Sequence, residues 1–118
     1  MKTPRLTKRL EAAADFVRQG AVIADVGTDH AYLPVSLLLE GRIDHAIAAD
    51  VRKGPLDHAR RTAEEYGVAD QLDFRLCDGL AGICADECDT ITIAGMGGET
   101  IAGILSRAEW AREGKRLI

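Results

Sequence analysis

Ala21-Val22-Ile23-Ala24-Asp25-Val26-Gly27-Thr28-Asp29-His30 is the stretch on which the fold turns. Its first six residues form a short apolar run rich in branched side chains, the pattern of a strand buried on both faces of a parallel sheet. Gly27 then permits a tight turn. Ala31 to Glu40 carries Leu33, Leu37 and Leu38 at helical spacing and stops at Gly41. Pro34 falls in the first turn of that helix, where its missing N–H is tolerated. Strand, tight turn and helix together make the repeating unit of a parallel α/β sheet.

Outward from this unit the pattern recurs. Upstream, Thr3-Pro4 predicts a helix start, with Leu6, Leu10, Ala13, Ala14 and Val17 on one face and Gly20 as the stop. Downstream, His45 to Asp50 reads as a second strand. Gly54-Pro55 opens a helix with Leu56, Ala59, Ala63 and Tyr66 on one face, ended by Gly67. Leu72 to Cys77 alternates as a third strand, and Thr90 to Ala94 is a fourth. Gly95-Met96-Gly97-Gly98 leads into a helix bearing Ile101, Ile104 and Leu105. Lys115 to Ile118 reads as a fifth strand that is entered and then cut off. Four alternations with short links predict a doubly wound parallel α/β sheet in a single domain over residues 1–118. An uncovered fourth-strand edge and an unfinished fifth strand predict self-association, a homo-dimer through that edge.

Composition narrows the class. Of 118 residues, 47% are apolar, enough for a core, and no run approaches a membrane span. The basic start lacks the apolar segment of a secretory signal. With an odd count of three cysteines (Cys77, Cys84, Cys88), a reducing cytoplasm and free thiols are expected. The net charge of -4 argues against a simple basic nucleic-acid binder, but its distribution is uneven. Residues 1–19 carry +3 and residues 107–118 carry +2, which leaves -9 in the middle. An acidic centre between basic ends suits a cation centrally and a polyanion at the edges.

In open α/β sheets, ligands bind beyond the carboxyl ends of the strands. The unusual residues of this chain gather there: Asp25 to His30 after the first strand, Asp50-Val51 after the second, Asp78-Gly79-Leu80 after the third and Gly95 to Gly98 after the fourth. Asp50 lies 23 residues after Gly27, near the spacing of a ribose-binding carboxylate. A dinucleotide fingerprint would continue with glycines, yet Asp29 and Tyr32 occupy their places. Asp25 and Asp29 would repel a pyrophosphate, which disfavours NAD. They suit the ammonium and sulfonium of S-adenosyl-L-methionine, with Asp50 on the ribose hydroxyls, Asp78 on the adenine amino group and Leu80 against the ring.

Other chemistries find little support. All three histidines follow an aspartate, but only His30 is placed at the rim. His45 opens a strand at the opposite end, and His58 reads as an exposed helix position, so no metal site is expected. Ser36 and Ser106 lack a triad partner, and no Gly-Lys-Ser/Thr follows the late glycines.

The runs Asp25 to Pro34, Ala49-Asp50-Val51 with Gly54-Pro55-Leu56, Asp78-Gly79-Leu80 and Ile93 to Gly98 resemble the bacterial tRNA adenine-22 N1-methyltransferase family. Leu6-Thr7-Lys8-Arg9-Leu10 resembles that family's start. Cys77 departs from the pattern, standing where a glycine is expected. The resemblance implies a Rossmann-like class I methyltransferase fold, here stopping after the fourth helix and without the family's helical C-terminal region. It implies S-adenosyl-L-methionine bound by Asp25, Gly27, His30, Asp50, Val51, Asp78, Gly79 and Gly95; Thr28 and Leu80 complete the candidate set. It also implies tRNA as partner and methyl transfer to N1 of an adenine. Asp29 is the candidate to stabilise the cationic product, and Tyr32 the candidate aromatic against the base. The alternatives are a non-catalytic cofactor-binding or dimerising fragment of the same fold and, more distantly, a nicotinamide-dependent oxidoreductase.

Overall fold

Alternation of side chains along the strands is what lets one sheet serve two cores. In the computed structural model, which describes residues 4–94, 98–112 and 115–118, the strands are β1 (Ile23–Val26), β2 (Ala46–Asp50), β3 (Leu72–Leu76), β4 (Thr90–Thr92) and β5 (Arg116–Leu117). The helices are α1 (Lys8–Asp15), α2 (Tyr32–Leu39), α3 (Lys53–Glu65) and α4 (Gly98–Ser106). All strands pair in parallel, in the order β3-β2-β1-β4-β5. Ile23, Ala46, Ala48 and Leu72 face one cluster with residues of α1, α2 and α3. Ala24, Val26, Ile47, Ala49 and Ile91 face the other, with Leu80, Ile104, Ala108 and Ala111. The sheet is therefore doubly wound, as the strand–helix alternation predicts. Between β1 and β4 the order changes direction, so the carboxyl end of β1 lies at the switch point where such sheets bind ligands.

Several boundaries move for local reasons. The first helix begins at Lys8, not at Thr3-Pro4: Thr7 is its cap, its hydroxyl accepting from the Leu10 N–H at 3.3 Å. Thr3 itself lies outside the described residues. The helix also ends before Gly20, because the amides of Phe16 and Val17 bond back to Ala13 and Ala14 and tighten the last turn. β1 starts at Ile23 because the Val22 N–H is taken by the Asp89 carboxylate at 3.1 Å.

The fourth-strand edge is not uncovered. β5 pairs with it, Thr90 with Arg116 and Ile91 with Leu117. The Ile93 amide donates to the Ile118 carbonyl at 3.0 Å, and the Ile118 amide to that of Ile91 at 2.9 Å. The sheet's free edges are thus β3 and β5. β3 carries the charges of Asp73 and Arg75, which blunt an edge, whereas β5 is short and leaves Leu117 exposed.

Candidate functional site

The turn from β1 to α2 is fastened to the end of β2. Three successive amides point the same way: Gly27 and Thr28 both donate to the Ala49 carbonyl at 2.9 Å, and Asp29 donates to Asp50 Oδ2 at 3.3 Å. Gly27 has φ of 71°, where glycine costs nothing. Asp29 (φ 55°) and Ala31 (φ 61°) adopt the same left-handed region without being glycine, at a cost of roughly 1–2 kcal/mol each. The Ala31 side chain is fully buried in the core beneath the turn, which holds the backbone there against that cost. His30, between them, is carried outward to the rim.

Asp25, on β1, is only 4% exposed. Its Oδ1 accepts from the Thr92 hydroxyl at 2.6 Å and its Oδ2 from the Thr28 hydroxyl at 2.8 Å. Burial outweighs both bonds and pushes its pKa up to about 6, with the nearby Asp50 charge adding a little. Asp50 is similarly enclosed, and its other oxygen accepts from the Arg52 amide at 3.0 Å. Of these two buried carboxylates in neighbouring strands, Asp50 has only the exposed Arg52 guanidinium beside it, at 4.0 Å, so the pair is arranged to receive positive charge from a ligand.

A cavity of about 440 Å³ opens over this turn, lined by Asp25, Gly27, Thr28, Asp29, His30 and Tyr32 from below and by Thr7, Arg9 and Leu10 of the α1 region from above. The structure thus brings six of the candidate residues together, leaves Asp50 outside the lining, and adds Leu33, Ala94 and three residues of the α1 region that sequence reasoning did not single out as site residues. Arg9 is the cation among them, its guanidinium 3.4 Å from the Ala94 carbonyl. The signal that could have found them was the Leu6 to Leu10 segment itself.

A second addition is His58. Its ring meets that of His30 edge-on, with centroids 4.9 Å apart and planes at 62°, while His30 stacks on Tyr32 at 5.2 Å and 9°. His58 is an exposed helix position, as its sequence context suggests, but it belongs to the rim. It sits near the start of α3, and a helix that follows a strand starts at the strand's carboxyl end.

The third-strand residues lie elsewhere. Asp78 is exposed and pairs with Arg107 at 3.6 Å; it lines a separate cavity of about 350 Å³ together with Leu80, Ile104 and Trp110. Leu80 is 3% exposed and packs in the core beneath that cavity, whose wall it helps to form. Gly79 is buried at φ 58°, and a Cβ there would meet Ile104 Cγ1 at 2.9 Å. Val51 follows Asp50 and is exposed. Gly95 lies outside the described residues.

A family profile described as a methyltransferase domain matches residues 6–118. The chain belongs to the methyltransferase domain family. This methyltransferase domain is similar over its whole length to the tRNA (adenine(22)-N(1))-methyltransferase of Bacillus subtilis (strain 168), at 44% identity over 119 residues, which make up 50% of that protein. Among solved structures it resembles the B. subtilis M1A22 tRNA methyltransferase TrmK, with a TM-score of 0.90 and 42% identity over 96% of this chain and 49% of that one. It also resembles M. capricolum TrmK in complex with its natural cofactor product, S-adenosyl-homocysteine, with a TM-score of 0.79 and 35% identity over 87% of this chain and 47% of that one. The methyltransferase domain therefore spans about half the length of these relatives. Its Rossmann-like sheet is the one that the strand–helix alternation predicts.

Proposed function

We propose that this chain is the cofactor-binding part of an S-adenosyl-L-methionine-dependent methyltransferase that modifies N1 of an adenine in tRNA. The observation that carries it is the buried Asp25 carboxylate at the base of a cavity that also holds Asp29 and Arg9. The likeness to tRNA (adenine-22 N1) enzymes supports the same substrate.

The donor set fits that cofactor. Asp25 and Asp29 offer negative charge to an ammonium, and Arg9 on the opposite wall offers a cation to the carboxylate of the same amino-acid group. Each oxygen of Asp50 accepts one backbone amide and keeps a lone-pair direction for a ribose hydroxyl. Gly27 allows the backbone to approach the ligand closely. Asp78 and Gly79 are proposed for the adenine end, with Val51 and Leu80 on that side. Asp78 would have to leave Arg107 to reach a ligand, and an exposed pair of that kind is weak.

When bound, S-adenosyl-L-methionine supplies a sulfonium methyl group that a nitrogen lone pair attacks in line. N1 of adenine has such a lone pair and loses no proton on methylation, so the chain needs no general base. Its task is placement, which supplies most of the acceleration. Tyr32 stacks the base beside the cavity. The exposed Asp29 carboxylate faces the positive charge that passes to the ring. Residues 1–19, with a charge of +3, supply attraction for tRNA phosphates.

Calorimetry with S-adenosyl-L-methionine, paired with methylation of unmodified tRNA and mass-spectrometric mapping of the product, tests this. Binding with transfer to adenine N1 is expected. Binding without transfer would leave a non-catalytic fragment, and no binding would refute the cofactor.

A further inference from the structure

We propose that His58 is a positioning residue of a base-binding wall: its edge holds His30 parallel to Tyr32, so that Tyr32 presents its remaining face to a purine ring. The inference rests on the methyl-transfer reading above and names the surface that holds the acceptor base.

The chain has only two tyrosines and three histidines, yet three of these five rings form one contiguous stack at the rim. They come from two elements. His30 and Tyr32 belong to the strained turn and the start of α2, and His58 to α3. His30 and Tyr32 line the cavity, whereas His58 does not, so His58 acts on a ligand only through His30. Tyr32 has one face on His30 and is still 38% exposed, leaving area for a further ring. A planar aromatic ring stacks offset on such a surface regardless of sequence context. His30 sits between two left-handed residues, so its direction is set by the backbone, by the Asp29 carboxylate 3.8 Å from its Nε2, and by the His58 ring packed against its own. Removing His58 frees the imidazole to tilt, and a tilted His30 no longer backs Tyr32.

The test titrates adenosine 5′-monophosphate into the chain saturated with S-adenosyl-L-homocysteine, following the His and Tyr ring resonances by NMR. His58→Ala should weaken adenosine 5′-monophosphate about fivefold while S-adenosyl-L-homocysteine affinity stays within about twofold. His58→Phe, which keeps a ring edge against His30, should restore the wild-type value. Unchanged nucleotide affinity in His58→Ala, an equal loss in His58→Phe, or a parallel loss of S-adenosyl-L-homocysteine would overturn the proposal. So would wild-type protein that binds S-adenosyl-L-homocysteine but shows no nucleotide contact at Tyr32. Wild-type protein that binds no S-adenosyl-L-homocysteine refutes the cofactor assignment, and this proposal falls with it.

Discussion

Thr92 and Asp25 are register partners on β4 and β1, and the threonine hydroxyl donates to the buried carboxylate at 2.6 Å. The bond opposes the effect of burial on Asp25. Thr92→Val keeps the volume and removes the donor. It should cost about 1–2 kcal/mol, read as a lowered denaturation midpoint in urea. It should also raise the pH above which a cationic ligand binds well. An unchanged binding profile would show that Thr92 does not tune the site.

Asp25 gives ligand-free stability a pH dependence of unusual sign. Its pKa rises from 3.8 to about 6 on folding, so its contribution is fully present below pH 3.8 and lost as pH rises through 6. Above that, the buried charge costs up to about 3 kcal/mol. Asp25→Asn should therefore gain stability relative to wild type as pH rises from about 4 to 6, with a constant gap above that, while losing affinity for S-adenosyl-L-methionine. In wild type that affinity should rise over the same interval. Parallel stability profiles for the two proteins would contradict the burial of a charged group here.

Glu87 behaves in the opposite way. The Arg75 guanidinium, 2.7 Å from Glu87 Oε1, holds the Glu87 pKa down at about 2 against an ordinary 4.5. The contribution is present above pH 4.5 and lost as pH falls through 2. Glu87→Gln should lower the melting temperature by a few degrees at pH 7, and the gap should close in acid. A gap that persists at pH 2 would mean that the variant acts by other means.

Gly79 has no room to grow. At φ 58°, with Ile104 Cγ1 2.9 Å from a would-be Cβ, Gly79→Ala should destabilise by about 1–3 kcal/mol. Ile104→Ala, which removes both Cγ atoms that the new Cβ would meet, should cost less in the Gly79→Ala chain than in the wild type, which chemical denaturation would detect. Additive losses would place the strain in the backbone alone.

The homo-dimer is proposed at β5, where Leu117 is 43% exposed on a free edge beside Phe16. Size-exclusion at two concentrations should show a larger species at the higher one. Leu117→Lys should remove it. A single concentration-independent monomer peak would end this proposal.

The sheet could be read from the sequence because β1 and β2 are short runs of branched or small apolar residues, β3 alternates, and glycines punctuate the links, and those features act locally. Asp25, Gly27, Asp29 and Tyr32 could be read for the same reason, being one turn. Thr7 caps the first helix because its hydroxyl reaches an amide three residues on, a contact that spacing alone does not single out. Arg9 and His58 come from other elements, and no local pattern reports a contact between neighbouring helices on one face of the sheet. Asp78 and Leu80 follow their strand as expected. Their side chains diverge, one toward Arg107 and the other into the core, because the turn at Gly79 separates them.

The three amides of Gly27, Thr28 and Asp29, all donating to Ala49 and Asp50, have a consequence for selectivity. They hold the Asp25 and Asp50 carboxylates in one body with a fixed separation. If these two take the ammonium and the ribose as proposed, such a site measures length. A ligand with one methylene more or fewer between those groups should then satisfy Asp25 or Asp50, but not both.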